Sequence, residues 1–162
     1  MPKEKFEKIV NEVASLTKKI ALHMGGDPLV LSDLADYLDI AGKNGLKVEL
    51  TTSGFYTAKH SDKVLLHDAI RQINFSLNSY DKNSSTLSLD EYLAPIFEIT
   101  ERKLSLNKEI FINLRVWNDK YANADFNEIV LEKISSRYGI KIYPTGERRQ
   151  RSAQKTVVVF DD

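Results

Sequence analysis

Cysteine is absent from this chain of 162 residues, so its own side chains can form neither disulfides nor thiolate metal sites. Iron–sulfur clusters fall under the same exclusion, because they need thiolate ligands. Histidine is scarce as well: His23, His60 and His67 show none of the close pairings of zinc motifs. No window approaches the ~18 continuous apolar residues of a membrane span, and the opening MPKEKFEKIV lacks the apolar core of a signal peptide. The expectation is a cytoplasmic protein with no membrane partner. Excess charge is also missing. Lys plus Arg and Asp plus Glu both number 23, so no long-range field draws the chain toward nucleic acid.

What is present suffices for one domain. The residues are 42% apolar, enough to bury a single core, and no linker divides 1–162. Phe6, Ile9, Val10, Val13 and Leu16 recur at three- and four-residue steps, which predicts an amphipathic helix over 3–17. A short strand over KIALHM then stops at Gly25-Gly26. Ser32 is placed to cap a second helix that buries Leu34, Leu38 and Ile40 or Ala41 and ends at Gly45.

The cycle repeats. KVELTTSG reads as a strand, DKVLLHDAI as a helix, QINFSLNS as a strand, 89–103 as a longer helix and EIFINLRVW as a strand. FNEIVLEKISSRYG follows as a helix ending at Gly139, then IKIYP as a short strand, the basic loop GERRQRSAQK and a last strand TVVVF. Strands separated by helices pair in parallel through right-handed crossovers. The expected class is α/β, a partial (β/α) TIM-like barrel with parallel strands, incomplete at its N-terminal side.

The strands alternate instead of being apolar throughout. Ile73, Phe75 and Leu77 oppose Asn74, Ser76 and Asn78; Ile112, Leu114 and Val116 oppose Asn113, Arg115 and Trp117; Val48, Leu50 and Thr52 oppose Glu49, Thr51 and Ser53. A packed barrel interior favours Val, Ile and Leu, so a polar lining predicts an incompletely closed barrel holding a polar ligand. In parallel α/β folds that ligand sits at the carboxyl ends of the strands. Those ends carry Gly25, Gly26 and Asp27, then Thr51, Thr52 and Ser53, then Ser76 and Asn78, then Arg115. Each of these residues, taken alone, also suits a turn or a helix cap.

The order HMGGDP, VELTTSG, INFSLNS and FINLRVWN resembles successive strands of the radical S-adenosylmethionine (radical SAM) enzymes, over residues 3–118. Gly25-Gly26-Asp27 resembles the family's Gly-Gly-Glu, whose backbone meets the methionine amino group, with Asp27 in place of Glu. Thr51-Thr52-Ser53-Gly54 resembles its Thr-Thr-Asn-Gly. By the same resemblance Ser76 and Asn78 bond the ribose, and Arg115 lies near the cofactor carboxylate or the substrate.

The resemblance implies S-adenosylmethionine as cofactor and a 4Fe-4S cluster held by Cys-x3-Cys-x2-Cys, a segment with no counterpart in this chain. The expectation is a fragment of such an enzyme, inactive alone, with the cluster only in the full-length parent. Two other readings stand beside it: a cysteine-free binding module on the same scaffold, and an unrelated barrel enzyme using Glu49 or Asp27 as base. No catalytic residue and no metal ligand is assigned. An incomplete barrel leaves a first-strand edge unpaired, so the chain is expected to self-associate, to swap segments, or to cover that edge with TVVVF.

Overall fold

A computed structural model describes residues 1–23, 25–118, 124–140 and 154–160. Helix α1, Lys3–Val13, buries Phe6 and Val10. It stops short of the expected residue 17 because Thr17 turns on itself: its Oγ1 donates to the Lys19 carbonyl at 2.9 Å and accepts from the Lys19 amide at 3.2 Å. Such side-chain bonds compete with the helix ladder. Leu16, counted in the expected stripe, is consequently 83% exposed.

Strand β1, Lys19–Leu22, leads through Gly25 and Gly26 into a 3-10 turn over Pro28–Val30. Helix α2, Leu34–Lys43, begins after Asp33 and not after the expected cap Ser32. Lys3 binds this start, reaching Asp33 at 3.3 Å and Asp36 at 2.6 Å. Gly45 takes φ 69° at the helix end, as expected, with the Leu46 amide donating to Ala41 at 3.0 Å.

Strand β2, Lys47–Thr52, precedes helix α3, which spans only Asp62–Leu65 of the expected 62–70. The β2 ladder captures the remainder: the Val48 amide donates to Ala69 at 2.7 Å, so β-branched Ile70 opens strand β3, Ile70–Ser76. A 3-10 turn, Leu77–Ser79, ends it earlier than the expected residue 79. Helix α4, Leu89–Ser105, starts from a capping box in which Ser88 and Glu91 satisfy each other's backbone amides. Strand β4, Phe111–Asn118, helix α5, Ala124–Tyr138, and strand β5, Gln154–Phe160, complete the order. All but Ile140 of the expected strand over 140–144, and most of the basic loop over 146–155, lie outside the described residues.

The five strands form one sheet in the order β1-β2-β3-β4-β5. The first four pair in parallel, as expected of strands joined by helices. β5 corrects the expectation, for it lies antiparallel to β4. Residues 139–153 separate α5 from it. Pairing with β4 also means that TVVVF does not cover the outer edge of β1. The described sheet is open, and its closure into a barrel is not seen.

One face of the sheet is dry. Val48, Leu50, Ile73, Phe75, Ile112, Leu114 and Val116 are fully buried in a cluster with Phe6 of α1, Leu34 of α2, Leu65 of α3, Tyr92 of α4 and Val130 of α5. Each fully buried side chain of this kind contributes about 1.5–3 kcal/mol. The helices thus lie on that side. Register aligns the residues of the other face, polar except for Ala21, in rows: Ala21, Glu49 and Gln72; then Thr51, Asn74 and Asn113; then Ser76 and Arg115.

Candidate ligand site at the strand ends

Asp27 organises the strand ends. Its Oδ1 accepts from the Leu29 amide at 3.0 Å, which starts the 3-10 turn after the glycine pair. Its Oδ2 accepts from Thr52 Oγ1 at 2.9 Å, from the Ser53 amide at 2.7 Å and from Ser53 Oγ at 2.6 Å. The loop after β1 is thereby tied to the end of β2. A carboxylate with four protein donors is a structural acceptor, and this use of its lone pairs speaks against Asp27 as a general base.

The tie is reinforced from the dry side. Tyr92 Oη, on α4, donates to the Ser53 carbonyl at 2.6 Å. Burial, and then the negative charge of Asp27, push the Tyr92 phenol well above its ordinary pKa, so it remains a donor. Gly54 has φ 88°, and a Cβ there would stand 2.8 Å from Ile96 Cδ1 and 3.2 Å from Tyr92 Oη. Only glycine fits this turn.

Gly25 and Gly26 differ from Gly54. Their φ values of 138° and 148° also favour glycine, yet a Cβ on either would meet nothing within 4 Å. The Cβ side of both glycines is thus open, and the Gly25 amide donates to the His23 carbonyl at 3.1 Å.

On the polar face Thr51 Oγ1 accepts from Asn74 Nδ2 at 3.3 Å. Ser76, the last residue of β3, stands opposite Arg115 of β4 in register, and both are half-buried. Asn78 lies in the turn just beyond. Burial lowers the pKa of Arg115, while the carboxylate of Glu49 acts in the opposite direction. Among the described residues Arg115 forms no ion pair within 4 Å. Glu49 is committed to Lys19 at 2.8 Å, so Asp27 and Glu49 serve different partners.

The structure therefore gathers Asp27, Thr52 and Ser53 by direct bonds, and sets Ser76 beside Arg115. Sequence reasoning missed Tyr92 and the amide ladder of Gln72, Asn74 and Asn113, although the alternation of polar residues was its visible trace. A separate cleft of about 590 Å³ opens on the helix side, lined by residues including Thr57, His60, Asp62, Pro95, Glu98 and Arg102. Its Asp62–Arg102 pair at 2.7 Å is exposed, and none of the strand-end residues reaches it. Among the described residues no group of His, Asp and Glu is arranged to hold a metal ion, and no helix is long and apolar enough to cross a membrane.

No protein-family model matches the chain, and no curated protein matches it either. A solved structure described as the crystal structure of archaeal TYW1 is similar over 83% of this chain and 62% of that one, with 16% sequence identity and a TM-score of 0.39. The chain thus spans less than two thirds of the length of that protein.

Proposed function

We propose that this chain binds S-adenosylmethionine across the carboxyl ends of its parallel strands, as the cofactor-pocket part of a radical SAM enzyme. The observation that carries the reading is the Asp27 tie, which holds the open glycine pair beside the end of β2. The residues present fit the molecule. Backbone groups of Gly25 and Gly26 meet the ammonium, Ser76 and Asn78 meet the ribose hydroxyls, and Arg115 meets the carboxylate through its planar fork. Thr51 completes the polar row. When bound in such an enzyme, the cofactor supplies a sulfonium whose reductive cleavage starts the radical chemistry.

The cluster that would deliver the electron does not fit this chain, which has no cysteine to ligate it. For the chain as it stands the role is therefore binding, with cleavage dependent on a cluster held elsewhere. On this reading the open sheet is part of a barrel, and the outer edge of β1 is the place for a further strand or a second copy.

Isothermal titration of the chain with S-adenosylmethionine tests the reading. Charge-assisted hydrogen bonds contribute about 1.5–3 kcal/mol, so Arg115→Ala is expected to weaken binding about 10–100-fold. An unchanged chain that takes up no S-adenosylmethionine contradicts the reading.

A further inference from the structure

One side-chain layer in from the strand ends, the polar face carries a ladder of amides. Gln72 Nε2 donates to Asn74 Oδ1 at 2.7 Å, and Asn113 Nδ2 donates to the same oxygen at 2.8 Å. Asn74 Nδ2 donates in turn to the backbone carbonyl of Leu50 at 3.1 Å. That last bond sets the direction of the ladder, since a carbonyl only accepts. Asn74 must give its nitrogen to Leu50 and its oxygen to Asn113, so Asn113 must turn its own nitrogen toward Asn74.

The Oδ1 of Asn113 is then left over. It is buried and has no hydrogen-bond partner among the described residues, in a side chain on a residue only 8% exposed. A dry, unbonded acceptor opposes folding, and nearly all such groups in proteins find a donor. Asn113 lies on the same side of β4 as Arg115, two positions before it, on the face read above as ligand-binding.

We propose that Asn113 is a ligand-binding residue, whose Oδ1 accepts a hydrogen bond from an amine or hydroxyl of the small molecule held on this face. This rests on the reading of the site given above. A carbonyl oxygen rejects an anion, so the carboxylate goes to Arg115 and a donor group to Asn113. S-adenosylmethionine carries such donors in both halves, the ammonium of the amino acid and the hydroxyls and amine of the nucleoside.

The test is Asn113→Leu, studied by thermal unfolding without ligand and by titration with S-adenosylmethionine and, separately, 5′-methylthioadenosine. The substitution removes the unsatisfied acceptor together with the donor to Asn74 Oδ1, an oxygen that Gln72 still serves, so the melting temperature changes little, while affinity for S-adenosylmethionine falls about tenfold or more. Equal loss for 5′-methylthioadenosine assigns the donor to the nucleoside; loss for S-adenosylmethionine alone assigns it to the ammonium.

Wild-type affinity in a folded variant overturns the inference and leaves the site reading intact. A lowered melting temperature with unchanged affinity also overturns it, because Asn113 then serves the fold alone. Failure of the unchanged chain to bind S-adenosylmethionine overturns both. Should Asn113→Leu not fold, Asn113→Ala removes the same acceptor with less bulk and is read in the same way.

Discussion

Ser53 gives both its amide and its hydroxyl to one oxygen of Asp27, at 2.7 and 2.6 Å, so two residues distant in sequence close the loop after β1 onto the end of β2. Asp27→Ala strips acceptors from Thr52 and Ser53 together. Hydrogen bonds to a charged group contribute about 1.5–3 kcal/mol, and a loss of that order is expected in urea unfolding. Asp27→Glu should also destabilise, since the added methylene displaces an oxygen that serves three donors. Wild-type stability in both variants contradicts the tie.

The glycines separate strain from function. Gly54→Ala meets Ile96 at 2.8 Å as well as an unfavourable φ, and is expected to cost about 1–3 kcal/mol of stability. Gly25→Ala meets no neighbour, so only the backbone strain of a non-glycine residue at φ 138° applies, about 1–3 kcal/mol. Its larger effect should appear as weakened binding of S-adenosylmethionine. Denaturation and titration of the same two variants check both statements.

Tyr92→Phe deletes the donor to the Ser53 carbonyl while keeping the ring that packs on Phe55 and Tyr80. A loss of about 0.5–1.5 kcal/mol is expected in thermal unfolding. A variant as stable as the parent shows that the carbonyl finds water instead.

Acid should loosen the start of α4. The hydroxyl and then the amide of Ser88 hold the Glu91 carboxyl below its ordinary value of 4.5. A depressed folded-state pKa gives stability that is present above the unfolded value and lost as pH falls through the folded one. Unfolding midpoints compared between the parent and Glu91→Gln should therefore converge as pH drops below 4.5. Asp68, Asp81 and Glu101 are depressed too, so only the difference between the two proteins isolates Glu91.

The polar face was legible in sequence because period two is a local signal: Ile73, Asn74, Phe75 and Ser76 declare their sides without any partner. Gly45 and Gly139 were legible for a similar reason, both taking positive φ at helix ends. The sense of β5 was not, since TVVVF is apolar on both sides and carries no mark of direction. Nor was the contact of Tyr92 with Ser53, made across a separation of 39 residues. Within the site, residue types named the strand ends, but only geometry showed that Asp27 is spent on bonds within the protein. Only geometry, likewise, shows which oxygen of the amide ladder is left unsatisfied.

The most direct test of the account is an amide NMR spectrum of the chain recorded during addition of S-adenosylmethionine. The account predicts saturating shifts at Gly25, Gly26, Ser53, Ser76 and Arg115, with Thr57, His60 and Arg102 of the helix-side cleft unmoved. Shifts confined to that cleft, or none at all, contradict it.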